Sequence, residues 1–420
     1  MISHTDVAVI GAGAAGLAAG LRLLRSGVRF EVLEAADHVG GRAETDTQTL
    51  GTPVDLGCHW LHDARNNPFT PIARSLGFDL WEGRSFRDRR LHLGARYATP
   101  PESDAAWQAV DDAFDAVWAA GEAGRDVPAR DVIAPAGRWQ PLVDHWLTFM
   151  ASAPPEEMST RDCALYRDSP DNWAVLDGYG ALVQAHARVV PVTLSCPVRR
   201  IDRSGPRLRL ETDRGTLECG AVVVTASPAV IAGGHLGFFP ALPDHLAEAF
   251  HALRLGMVEK VALAFDRDVF GVAPRTTLDA FDEAAPGRGV VSAILNPDGS
   301  NGALVHVMGP SIAPLLDDGP DAMAAFALEA LANVFGAGIK AHAVRARATR
   351  WARETFIGGA YSMAQPGKAH LRARLHEGLD GRIFFAGEAV GGSAYSTCHG
   401  AHLSGIAAAE AALACAGAIP

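Results

Sequence analysis

The feature that most constrains this chain is a run of six small residues near its start, Gly11-Ala12-Gly13-Ala14-Ala15-Gly16. A short apolar stretch, Asp6 to Ile10, leads into it, and Leu17 to Leu24 follows with helical spacing and many alanines, which are strong helix formers. Gly27 closes that helix, Arg29 to Leu33 reads as a second strand, and Glu34 ends it eighteen residues after Gly16. Strand, glycine turn, helix, strand and acid, in that order, make a Rossmann-type dinucleotide unit. Gly11 allows the tight turn, Gly13 the approach of a pyrophosphate, and Gly16 the close contact of helix and strand. The first helical turn offers free N–H groups and a positive dipole end to phosphate. A carboxylate at Glu34 suits a ribose hydroxyl pair and disfavours the extra phosphate of NADP. It does not separate NAD from FAD.

The rest of the 420 residues can bury a large core, being 48% hydrophobic and 20% charged; the apolar fraction excludes intrinsic disorder. A formal charge of −11 makes a poor binder of nucleic acid or anionic membrane, and its field favours cationic ligands. The longest apolar stretches are too short or too interrupted to span a bilayer, so no membrane anchor is expected. No cleavable signal is visible ahead of the first strand. Six scattered cysteines without a CxxC pair suggest reduced thiols, a cytoplasmic location and no metal site. Between Pro100 and Ala185 stand 15 acidic residues, five arginines, no lysine and five of the eight tryptophans. Helical spacing covers Ala105 to Ala120 and Pro141 to Ala151, so this stretch reads as a helical insertion. Strand signals return at Val192, Leu208 and Ala221 and continue through Lys260 to Phe265, Gly289 to Leu295 and Ala303 to Met308. A final strand, Arg382 to Phe385, precedes an alanine-rich helix from about Ala401 to Ala414. The expected architecture is α/β: a Rossmann-type domain (1–74, 186–249 and 355–420) interleaved with a helical subdomain (75–185) and a mixed-sheet substrate domain (250–354).

Several further motifs carry chemistry. Val39-Gly40-Gly41-Arg42 follows Glu34, then Val54 to Trp60, including Gly57-Cys58-His59-Trp60. Far along the chain stand Phe385-Ala386-Gly387-Glu388 and His399-Gly400-Ala401-His402-Leu403-Ser404-Gly405. With these segments the chain resembles the flavin-containing amine oxidases, the family of monoamine and polyamine oxidases. The resemblance runs from the first strand to the last helix, and the middle helical region matches in character only.

The resemblance implies FAD and assigns roles. Arg42 is expected at the pyrophosphate, where a guanidinium makes charge-assisted bonds. Glu388 is expected to accept bonds from the ribityl or pyrophosphate edge, with Gly387 and Cys398 near the flavin and Val198 pairing by backbone with adenine. Gly11, Gly13, Ala14, Ala15, Gly16, Glu34, Ala35, Gly41, Gly57, Cys58, His59, Trp60, Trp351, Thr397 and Ala401 complete the expected cofactor contacts. Lys260, opening an apolar strand, matches the lysine that holds a water at flavin N5. Trp351 and Tyr361 match the segment that brings an aromatic ring to the substrate side, where a ring face or edge holds an amine nitrogen. Thr397 stands at the opposite wall, where a second tyrosine would complete an aromatic cage. Ala360 stands where monoamine oxidases carry the cysteine bonded to FAD, so non-covalent FAD is expected. His59 and His62 flank Trp60 and Leu61 in a segment closer to polyamine oxidases, where a histidine could line the amine tunnel.

The implied reaction is hydride transfer from a neutral amine to flavin N5, imine hydrolysis, and reoxidation by dioxygen with release of hydrogen peroxide. The alternatives are a desaturase, isomerase or amino-acid oxidase on the same fold, or a non-catalytic flavin-binding redox module. The particular amine and the oligomeric state are not legible.

Overall fold

A computed structural model of the chain describes residues 2–83, 89–285 and 289–417. Residues 84–88, 286–288 and 418–420, which fall within the expected 75–185, 250–354 and 355–420 segments, lie outside the described residues. The architecture is mixed α/β, as the order of elements implied.

Its first layer is a five-stranded, all-parallel sheet in the order 192–193, 30–33, 7–10, 221–224, 383–385. The central strands Val7–Ile10 and Ala221–Val224 are buried at every position, as unbroken Val/Ala/Ile runs should be when both faces of a sheet are covered. Helix Ala14–Leu24 packs against helix Cys398–Gly417, so opposite ends of the chain close one domain. The last helix starts at Cys398 rather than near Ala401, because the Thr397 hydroxyl accepts the Gly400 N–H at 3.0 Å and caps it.

A second five-stranded sheet runs 2–4, 215–219, 208–212, 198–202, 237–239. The third sheet has six strands in the order 343–348, 258–265, 302–308, 291–295, 276–280, 89–92. One of its faces (Val261, Leu263, Val305, Leu295, Leu278) packs with Met323, Ala327 and Leu331 of helix Pro320–Phe335. On the other, Ala262, Ala264, Leu304 and Ile294 meet Leu56 and Trp351. A row of polar residues crosses that second face in register: Lys260 opposite His306, His306 opposite Ser292, and Ser292 opposite Asp279.

The acidic stretch is helical, and its first helix is longer than its spacing suggested. It spans Pro100–Glu122, beginning at Pro100 rather than Ala105. Thr99 and Glu102 form a capping box, and proline is tolerated in a first helical turn. Ala106, Val110, Ala113, Val117 and Ala120 are buried at three- and four-residue intervals. A buried ion pair ties this region to the rest: Arg372 Nε and Nη2 donate to Asp162 at 2.8 and 2.7 Å, with the guanidinium 3.8 Å from the Tyr395 ring centroid.

Candidate active site

One cavity of about 830 Å³ gathers the expected residues from all of these layers. It opens at the carboxyl ends of the parallel strands, where open α/β sheets place their ligands. Gly11 takes φ +97°, a backbone conformation that favours glycine. Gly13, Ala14 and Ala15 line the wall, and no side chain caps the helix they open, which leaves its N-terminal amides for a ligand. Gly16 corrects an expectation. It does not line the cavity; a Cβ there would lie 1.8 Å from the Gly11 carbonyl oxygen, so its role is to let the helix close on the turn.

Glu34 and Ala35 lie along the same wall. Glu34 accepts the backbone N–H groups of Ala12 at 2.5 Å and Ala36 at 2.8 Å, which holds the carboxylate at the strand end. Arg42 Nη1 donates to Glu388 at 3.1 Å and to the Ala360 carbonyl. The other Glu388 oxygen accepts from the Ser362 hydroxyl at 2.7 Å. Both Glu388 oxygens accept protein donors, so the carboxylate orients Arg42, and it also lines the cavity. Gly41, Gly57, Cys58, Trp60, Val198, Gly387, Cys398 and Ala401 complete this side. The Cys58 thiol is pushed well up by its hydrogen bond to Cys398 and by burial.

Lys260 is the third residue of strand Val258–Phe265, not its opening residue, and its ammonium is inside the molecule. It donates to the carbonyls of Gly57 at 2.7 Å and Asp55 at 3.0 Å. An ammonium has three donors, so one N–H remains for the cavity that Lys260 lines. Burial lowers its pKa to about 8, with Asp55 and Cys58 opposing the shift. Trp351 Nε1 reaches the Leu56 carbonyl at 3.4 Å. Its turn is held by buried Glu259, which accepts the N–H groups of Trp351 at 2.9 Å and Ala352 at 3.0 Å. Burial raises the Glu259 pKa. The Tyr361 hydroxyl donates to the Phe149 carbonyl, and burial pushes the phenol pKa up; the ring is fixed and neutral. Thr397 lines the cavity, but its hydroxyl is spent on the helix cap and on the Ala394 carbonyl at 2.6 Å, so it offers the opposite wall little more than its methyl group.

His59 Nδ1 stands 3.4 Å from Asp55 Oδ2, out of hydrogen-bond alignment; neither buried ring nitrogen has a partner among the described residues. Burial lowers its pKa. His62 lies 2.8 Å from Asn172 Oδ1 and 3.2 Å from Asp168 Oδ2. The far wall is aromatic and acidic: Phe114, Trp118, Trp146, Phe149 and Tyr166, with Asp111 and Asp168. Among the described residues no cluster of His, Cys, Asp or Glu is ready for a metal, the six cysteines are free, and no helix is long and apolar enough to cross a membrane.

The family model of flavin containing amine oxidoreductases matches residues 14–130 and 109–413. The chain belongs to that family. Similar proteins include lysine-specific histone demethylase 1B of Mus musculus, 26% identical over 96% of this chain and 52% of its own length. Probable polyamine oxidase 4 of Arabidopsis thaliana is 27% identical over 96% of this chain and 86% of its own. The chain thus spans about half the length of the demethylase and most of that of the polyamine oxidase. Putrescine oxidase, solved with putrescine bound, shares the fold at TM-score 0.78 and 19% identity, covering 99% of this chain and all of the other.

The residues of this flavin-family cavity fit a dinucleotide: uncapped helix amides, a carboxylate at the second strand end and an arginine held from behind. The acidic, tryptophan-rich stretch from Pro100 to Ala185 supplies the far wall, whereas sequence reasoning missed Glu259 and His306. His306 interrupts the apolar strand Gly302–Met308 as Lys260 interrupts its own, and that interruption was the available signal.

Proposed function

We propose that the protein oxidises a small diamine or polyamine, using non-covalently held FAD and releasing the electrons to dioxygen as hydrogen peroxide. The observation that carries this reading is the convergence, in one cavity, of the dinucleotide cradle with Lys260, Trp351 and the fixed ring of Tyr361. FAD, when bound, supplies the two-electron acceptor chemistry. The chain supplies binding, orientation and exclusion of water. Arg42, oriented by Glu388, would meet the pyrophosphate, and Glu34 the ribose. Tyr361 and Trp351 wall the reacting end, and the remaining Lys260 N–H points a donor into it. Asp168 and Asp111 would receive a second, distal ammonium, and the aromatic wall would pack on the methylene chain between. Ala360 in place of a cysteine supports non-covalent attachment.

The test is anaerobic flavin reduction by putrescine, longer polyamines, aryl amines, amino acids and polycyclic apolar compounds. Bleaching fastest with diamines or polyamines is expected, with peroxide appearing once oxygen is admitted. Bleaching by apolar compounds alone would replace this reading with a desaturase. Acid precipitation should leave all the yellow colour in solution.

A further inference from the structure

His306 stands directly across from Lys260 in the six-stranded sheet, on the face that lines the cavity. It is only 8% exposed. Among the described residues no hydrogen bond ties either of its ring nitrogens to the protein. Unlike those of His59, its nitrogens are not among the fully buried, unpaired polar atoms, so the ring meets the cavity, where water or a ligand can complete its hydrogen bonding. Its ring lies 5.1 Å from that of Phe149, the residue whose carbonyl holds the Tyr361 hydroxyl. His306 and the Tyr361 ring therefore flank the same short stretch of wall, with Lys260 alongside.

The groups around it keep it uncharged. Burial lowers its pKa most, followed by Lys260 on the adjacent strand, His59 from the segment after Asp55, and His145 from helix Gln140–Ala151. On its other flank is Ser292, whose hydroxyl donates to Asp279 while lying 2.7 Å from His145 Nε2. With that hydroxyl proton committed, the His145 ring nitrogen is the donor. Asp55, the other carboxylate near this group, lies beside His59. A neutral imidazole keeps one nitrogen as an acceptor.

We infer that His306 is a further amine-positioning residue: its ring nitrogen accepts an N–H of the bound amine beside Lys260 and so fixes where the nitrogen lone pair points. This rests on the amine-oxidising reading above. That reading requires an uncharged nitrogen in a defined orientation, and an acceptor fixed by the sheet and by Phe149 imposes one.

The experiment is stopped-flow reduction of the FAD-loaded enzyme by its best amine, in wild type, His306→Leu, His306→Gln and His306→Asn. The two amides each place an acceptor oxygen near one of the ring nitrogens. The expected result is a fall of roughly tenfold in the limiting reduction rate for His306→Leu. At least one amide variant should recover most of that rate, and flavin spectrum, flavin content and reoxidation by oxygen should stay as in wild type. Reduction of His306→Leu at the wild-type rate would overturn the inference. So would equal slowing in all three variants accompanied by loss of flavin, because that pattern marks a packing role. If wild type itself is bleached by no amine, the amine reading fails, and this inference with it.

Discussion

The two sides of the cavity are built in opposite ways. The cradle side starts from a compact stretch, Gly11 to Glu34, that is mostly backbone: a glycine turn and the amides of a helix start, with the Glu34 side chain at the strand end. The reacting side is made from single side chains on distant segments. Lys260, His306, Trp351 and Tyr361 meet only because the six-stranded sheet, helix Gln140–Ala151 and segment Asp55–Gly57 pack together. A backbone site tolerates little change in shape, whereas a side-chain site loses function one group at a time.

That difference predicts where damage is greatest. Gly16→Val forces a branched side chain onto a carbonyl that even a Cβ would approach to 1.8 Å. The variant is expected to lose more than about 4 kcal/mol and to purify without flavin absorbance, or not at all. Normal flavin content would contradict the backbone account of the cradle.

Next is the joint between the two sides. Arg372→Met leaves Asp162 buried and uncompensated, a change that typically costs about 3–5 kcal/mol. The urea midpoint should fall accordingly, and a shift below about 1 kcal/mol would show that the helical region docks without this pair.

Lys260→Met should spare the fold and the flavin while slowing reduction by amine, reoxidation by oxygen, or both. One preorganised donor is worth about 2.7–4 kcal/mol, roughly a hundred- to a thousandfold in rate; the lower end is expected, since two of the three N–H groups serve carbonyls. Burial brings the lysine pKa down to about 8, so its charge is lost as pH rises through that value instead of near 10.5. The half-reaction that uses the ammonium should therefore slow above pH 8, and the slowing should vanish in the methionine variant. Wild-type rates in both half-reactions would remove Lys260 from the chemistry.

The smallest effect concerns the approach of substrate. The acidic stretch that supplies the far wall should steer cations, with a reach of about 8–10 Å at moderate salt. Turnover at low amine concentration should decline a few-fold as ionic strength rises, with little change at saturation. A flat response would make those carboxylates an ordinary solvated surface.

The same contrast explains what the sequence disclosed. The cradle is local, so Gly11, Gly13 and Glu34 could be placed from spacing, and the strands Val7–Ile10 and Ala221–Val224 from their unbroken apolar runs; Arg42 came from the family resemblance. Lys260 and Tyr361 were reached only through a family resemblance, because nothing in their own neighbourhood tells a lysine in an apolar strand from a surface one. Gly16 was given both a packing and a cofactor role and acts through close packing, while Thr397, assigned to the ligand, lines the cavity but spends its hydroxyl on a helix cap. Their residue types are the same for either use. His306, Glu259 and the Asp162–Arg372 pair stayed hidden because their meaning depends on partners on other strands or, for the ion pair, 210 positions away. The early start of helix Pro100–Glu122 was legible in principle, since Thr99 and Glu102 have capping-box spacing; two prolines in a row obscured it.

The pairing of the first and last helices also sets an order in time. Strand Ile383–Phe385 and helix Cys398–Gly417 are synthesised hundreds of residues after the first glycine turn, yet Gly387, Cys398 and Ala401 are part of the wall that meets it. During synthesis the turn is complete hundreds of residues before its cover exists. Sheets that wait for distant strands fold slowly and expose apolar surface meanwhile. Cofactor capture is therefore expected to wait for these distant elements to arrive and not to nucleate the fold at the glycine turn. Stalled nascent chains ending before residue 383 should retain no flavin, and retention by such a chain would show that the turn alone suffices.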